Sequence, residues 1–204
     1  MKKEMKPEDI QMAGGALIWG AVAFVIGTLL VALGGAALWG ISVVLTHLLS
    51  MPLLVVGLLA VRNRYGEKIG GLGKNILLMG SILGPFITFI GLFGLTYSFQ
   101  PLGILFIIGP AVLFACLSLF GVVALFKKPL PRWNVAPLIG GVWYPILVFA
   151  YIITSMNTGD WDGGSDIGIL GVVLAILCII QGIALAALGY ILKSDAPQEI
   201  VAPA

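Results

Sequence analysis

His47 is the one side chain within the apolar stretches of this sequence, tyrosines and cysteines aside, that could exchange a proton. It stands in a fifty-residue run, Met12 to Val61, without a single Asp, Glu, Lys or Arg. Tyr144, beside Trp143 and Pro145, and Gln181 sit comparably deep in later apolar stretches. An ionisable residue far inside hydrocarbon is a functional hypothesis by default, so His47, Tyr144 and Gln181 form a candidate midplane polar site. The chemistry open to it is narrow. No acidic partner accompanies His47 in the apolar segments, so a proton relay has no obvious continuation. The plainer alternative is a neutral His47 donating to a carbonyl, to Tyr144 or to Gln181.

Other motifs offer less. Asp160, Asp162 and Asp166 lie in a Gly/Asp-rich loop, NTGDWDGGSD, that departs from a calcium-binding hand. Gly164 takes the fifth position, Ser165 replaces the turn glycine and no glutamate closes the loop. Gly70 to Asn75 echoes the end of a phosphate loop, but Lys68 and Asn75 stand where Gly and Ser or Thr are required. Cys116 and Cys178 both fall inside apolar stretches and read as small buried hydrophobes. No metal site, cofactor or nucleic-acid contact is expected, and no catalytic residue.

The elements that must carry these side chains follow from composition. The chain has 204 residues, 60% hydrophobic and 10% charged, with a mean hydropathy of +1.11. Soluble domains carry about 25% charged residues. An all-α integral membrane protein is expected. As a single helix, Met12 to Val61 would run about 75 Å, against a hydrocarbon core of ~30 Å. It must fold back, with Gly34-Gly35 as the natural reversal. Lys2, Lys3 and Lys6 ahead of this run suggest a signal peptide, but the apolar stretch is too long and Glu4, Glu8 and Asp9 intrude. A retained helix starting near Pro7 is expected.

Charge interruptions divide the rest. Spans are expected at about 12–34, 37–61, 75–97, 102–126, 135–156 and 167–192, with a cytoplasmic segment 1–11 and a short disordered cytoplasmic tail, 193–204. All eleven Lys and Arg residues fall on one side of such a six-span chain: the N-terminus, 62–74, 127–132 and Lys193. The opposite side carries only Asp160, Asp162 and Asp166. The positive-inside rule therefore places both termini in the cytoplasm, and the plasma membrane of a prokaryotic cell is the expected location. Basic loops there can also touch anionic headgroups. Trp39, Tyr97, Trp133 and Trp161 are placed as an interfacial belt, whereas Trp19 and Trp143 are expected to pack inside.

Six spans pair as three hairpins. Their return helices share Gly57-Leu-Leu-Ala-Val, Gly121-Val-Val-Ala-Leu and Gly182-Ile-Ala-Leu. The third and fifth spans align through Gly80 with Gly140, Pro85 with Pro145 and Phe89 with Phe149. In layout, though in no specific motif, the chain resembles the three-hairpin membrane family that includes the acid-resistance protein HdeD. That resemblance implies architecture alone.

Glycine and proline mark two further patterns. Ala13, Gly20, Gly27 and Gly34 recur every seven residues in the first span, and Gly168, Ala175, Gly182 and Gly189 in the last. Such spacing keeps one helix face small, for packing within one bundle or for a homo-oligomer seam. Pro52, Pro85, Pro110 and Pro145 kink spans two to five, around a central cavity or as ordinary tolerated prolines. Two functions are thus expected in turn. One is a non-enzymatic structural, stress-related or accessory protein acting through helix packing. The other is a small transporter or channel for a neutral or weakly polar solute, using the level of His47. A reporter fused after Lys193 should be active only in the cytoplasm, and one inserted at Gly163 only outside; the reverse pattern would contradict the charge map.

Overall fold

The computed structural model describes residues 5–97, 100–158 and 168–195. Among the described residues every regular element is helical. In hydrocarbon no water is present to satisfy an unpaired N–H or C=O, so an apolar chain must pair its backbone within each segment. Helix α1 spans Pro7–Gly34, with Glu8 and Asp9 in its first turn, where carboxylates meet the positive end of the helix dipole. A single 3-10 turn, Gly35–Leu38, reverses the chain. Helix α2 spans Trp39–Ile69 and α3 spans Gly71–Thr96. After one short turn, Gln100–Gly103, α4 spans Leu105–Lys127. Helices α5 and α6 span Ala136–Thr158 and Gly168–Ser194.

Among the described residues five stretches are long and apolar enough to cross a membrane: Pro7–Leu30, Trp39–Ile69, Gly71–Thr96, Leu105–Lys127 and Ala175–Ser194. The fifth helix contributes a shorter apolar stretch, Ala136–Ala150. The helices form a closed ring: α1 packs on α2 and α6, α4 on α3 and α5, α2 on α3, and α5 on α6. Leu17, Leu54, Leu58, Leu113, Phe114, Leu117, Phe120, Leu185 and Leu188 fill its interior, each almost wholly buried.

Two expectations are corrected at the basic end. Residues 62–74 are not a loop, because α2 continues through Arg62, Arg64 and Lys68 to Ile69 and α3 begins at Gly71. One residue, Gly70, reverses the chain with φ 91° and ψ 171°, a conformation essentially reserved for glycine. Its N–H caps the carbonyls of Gly66 and Glu67. The start of the expected tail is also tied down, since Asp195 meets Tyr65 and Arg64 of α2.

Which residues face inward is decided by size more than polarity. On α3 the buried face is Gly73, Gly80, Ser81, Gly84, Thr88, Gly91 and Gly94, with Leu77 the one large exception. Met79, Ile82, Phe86 and Phe89 point outward, each more than half exposed. Trp19 follows the same rule and corrects the expectation that it packs inside: it is 68% exposed on α1. Trp143 does turn its indole nitrogen into the protein, where that nitrogen has no hydrogen-bond partner.

Small residues let the backbones meet. A methyl at Gly84 would lie 2.8 Å from Leu113 Cβ and 3.0 Å from the carbonyl oxygen of Gly109. One at Gly109 would overlap the backbone and hydroxyl of Thr88. Gly15, by contrast, has open space where its side chain would be. Gly109→Ala should therefore cost about 1–3 kcal/mol by overpacking. Gly15→Ala should be neutral or stabilising by up to ~1 kcal/mol, as expected for helix propensity. Unfolding midpoints of the two variants in detergent micelles check this; equal midpoints would contradict the tight α3–α4 seam.

Candidate functional site

Proline and helix geometry together shape the surroundings of His47. Pro52 has no N–H for the preceding turn, and its ring crowds the carbonyl there. The helix accommodates this by widening to a π-helical segment, Val44–Ser50, immediately before Met51 and Pro52. His47 lies in the middle of that segment and stacks on Phe106 of α4, with ring centroids 3.9 Å apart and planes inclined by 26°.

The protonation pattern of the ring follows from its neighbour. The Thr46 hydroxyl donates its single proton to the Ser42 carbonyl at 2.7 Å. It also contacts Nδ1 of His47, and there it must act as acceptor. Nδ1 therefore carries the hydrogen and Nε2 is left as an acceptor. The side-chain partner of this donor is Thr46, not Tyr144 or Gln181.

A cavity of about 310 Å³ opens beside the ring, lined by His47, Leu48, Met51, Pro52 and Val55 of α2, by Ser81, Pro85, Thr88, Phe89 and Leu92 of α3, and by Phe106. Thr88 gives its proton to the Gly84 carbonyl at 2.8 Å. Ser81 Oγ is buried without a partner. Neither Tyr144 nor Gln181 belongs to this cavity.

Those two residues lie inside the ring. Tyr144 forms an aromatic cluster with Phe24 and Phe114, at centroid distances of 6.0 and 5.4 Å. Gln181 is fully buried, and neither its amide oxygen nor its nitrogen has a hydrogen-bond partner. Helices α5 and α6 run antiparallel with Gly140 against Leu185. Four residues along each, Tyr144 and Gln181 stand at one level. The expected three-residue site thus divides: Tyr144 and Gln181 share a level in the core, and His47 faces a separate cavity at the ring's edge. Nothing in the sequence separated them, because depth along a helix is legible from residue counting and azimuth around it was not.

The glycine faces are occupied from within the chain. Gly20 lies against the backbone of Leu54, and a methyl at Gly27 would lie 2.6 Å from Thr46 Cγ2. Gly182 meets Val25, and a methyl at Gly189 would lie 2.6 Å from the Gly14 carbonyl oxygen. Gly34 and Gly168 stand at helix ends whose packing lies outside the described residues. So does the loop with Asp160, Trp161, Asp162 and Asp166. Among the described residues no cluster of His, Cys, Asp or Glu could hold a metal ion.

One polar constellation was missed. Near the basic end, Tyr65 donates to Asp195 Oδ2 at 2.8 Å, and Arg64 approaches the same oxygen at 3.5 Å. Arg64 also donates to the Asp195 carbonyl at 3.0 Å. Three residues past Arg62, the first charge of α2, Tyr65 lies outside the apolar run. Burial, together with the hydrogen bond and charge of Asp195, pushes its phenol above the usual tyrosine range, so it remains a donor. The only signal for this clasp was an acid just after the last basic residue, Lys193.

No family model, curated protein or solved structure matches this chain. The layout resemblance noted from the sequence therefore carries no family assignment.

Tyr65→Phe should free the C-terminal end of α6 at a cost of roughly 1–2 kcal/mol, since it removes a hydrogen bond to a charged group that is partly open to water. Limited proteolysis of intact protein in vesicles checks this: cleavage after Lys193 should accelerate in Tyr65→Phe and in Asp195→Ala. Cleavage at the wild-type rate in both would show that the clasp holds nothing.

Proposed function

We propose that this chain is a six-span, multi-pass cell-membrane protein that acts without catalysis, as a structural, stress-related or accessory protein. Its three hairpins are α1–α2, α3–α4 and α5–α6, and both termini lie on the cytoplasmic face. The charge map supports the orientation, with Arg62, Arg64, Lys68 and Lys74 around the α2–α3 reversal and Lys127, Lys128 and Arg132 after α4. The 23-residue length of α5 supports a sixth crossing, at about 34 Å for ~1.5 Å per residue.

The single observation that carries the packing role is the filled interior. At the level of Gln181, where a conducting protein would need polar walls, Phe24, Phe114 and Tyr144 interlock instead. Four glycines of the two seven-residue faces already hold neighbouring helices of the same chain, so self-association through those faces is no part of the proposal. A second reading is passage of a neutral or weakly polar solute past His47, and the cavity beside that residue favours it.

Flux in proteoliposomes separates the two. Across a panel of small neutral solutes, wild type and His47→Ala should match protein-free vesicles. Flux that depends on His47 would overturn the packing role in favour of transport.

A further inference from the structure

We propose that the slot between α2, α3 and α4 is a binding site for a neutral, membrane-dissolved lipid alcohol, its hydroxyl donating to Nε2 of His47 and its hydrocarbon lying along α3. The inference rests on the membrane placement proposed above and adds a ligand to it.

Four observations fix the chemistry. The slot's volume, about 310 Å³, is at the lower end of small-ligand pockets, which run from ~300 to 1,000 Å³. Its lining extends from Ser81 to Leu92 along α3, about 16 Å at ~1.5 Å per residue, the shape of a chain rather than of a compact solute. Leu48 and Phe89 on its border are 54% and 57% exposed, so it opens sideways to lipid and not into the ring.

No lining residue is charged, and an unpaired ionic headgroup at this depth would be heavily penalised. The ligand must therefore be neutral. Because Thr46 fixes the hydrogen on Nδ1, His47 offers the slot an acceptor and asks for a donor. An alcohol meets that demand; an ether or an ester does not.

Ser81 marks the far end of the slot, beside the ligand's hydrocarbon. The residue is 3% exposed, and its hydroxyl has no hydrogen-bond partner in the protein. Pro85, four residues on, also removes the helical donor from the Ser81 carbonyl. Polar groups thus stand at both ends of the slot, with Pro85, Val55 and Met51 between them. A hydrogen bond that hydrocarbon solvent cannot supply gives the alcohol its advantage over the lipid it displaces.

The test is photolabelling of the full-length protein in nanodiscs with a diazirine-bearing hexadecanol. Its methyl ether and a diazirine-bearing phosphatidylcholine are the comparison arms, and adducts are mapped by mass spectrometry. Hexadecanol adducts should concentrate on residues 48–55 and 85–92, about fivefold over the ether, as one ordinary hydrogen bond implies. His47→Phe should reduce them to the ether's level, and Ser81→Ala, at the hydrocarbon end, should leave them unchanged. Because His47→Phe can disturb the π segment, the wild-type imidazole is also read by nitrogen NMR. The Nε2 resonance should move on addition of hexadecanol and stay fixed on addition of the ether.

Equal labelling by alcohol and ether, adducts spread evenly over the outward faces, or an unmoved Nε2 resonance would each overturn the site. Failure of the protein to enter nanodiscs would instead strike the membrane placement, and the site with it.

Discussion

Helices dissolved in hydrocarbon gain nothing by hiding leucines from one another, because lipid is as apolar as leucine. What holds them together is close contact, and close contact needs small residues where backbones cross. This constraint orders the whole molecule. It puts Gly80, Gly84, Thr88, Gly91 and Gly94 on the inner face of α3 and Phe86, Phe89 and Phe93 on the outer. It sets Gly14 and Gly189 backbone to backbone where the first and last helices close the ring. It also accounts for Trp19 facing outward: a large ring on the packed side of α1 would hold the neighbouring helices apart.

Two places where regular helix gives way are linked to that packing. Gly70 turns α2 into α3 in one residue, drawing the two helices together from their first turn: a methyl at Gly66 would lie 3.1 Å from Lys74 Cγ. The π segment before Pro52 widens α2 just where α3 carries its own proline, Pro85, and the slot lies between them. A central cavity framed by four prolines was one expectation from the sequence. Pro52 and Pro85 shape a lateral pocket, and Pro110 is buried at the seam.

The long apolar helices and their approximate limits were legible in the sequence, because they depend on one-dimensional quantities: run length, charge position and residue count. The direction each helix faces was not legible. In a soluble helix, polarity reveals the buried face; here both faces are apolar, and α1 shows almost no polarity contrast along its length. Gly20, Gly27, Gly182 and Gly189 of the seven-residue pattern lie against neighbouring helices, yet the pattern could not say whether the neighbour belonged to the same chain. The Tyr65–Asp195 clasp was hidden for a different reason, since it joins residues 130 apart through a single acid. The π segment had one sign in the sequence, a proline five residues after a histidine, which few readings would weigh.

Central to this account is a dry, filled interior at the level of Gln181. Cys178 lies one turn away on the same buried face and is 3% exposed, which makes it a native probe of that region. In a Cys116→Ala background, intact membranes can be treated from either side with a small, membrane-impermeant, water-soluble thiol reagent. The account predicts that Cys178 stays unmodified from both faces until the protein is denatured. Rapid modification of Cys178 in the folded protein would reveal a water path through the ring and contradict it.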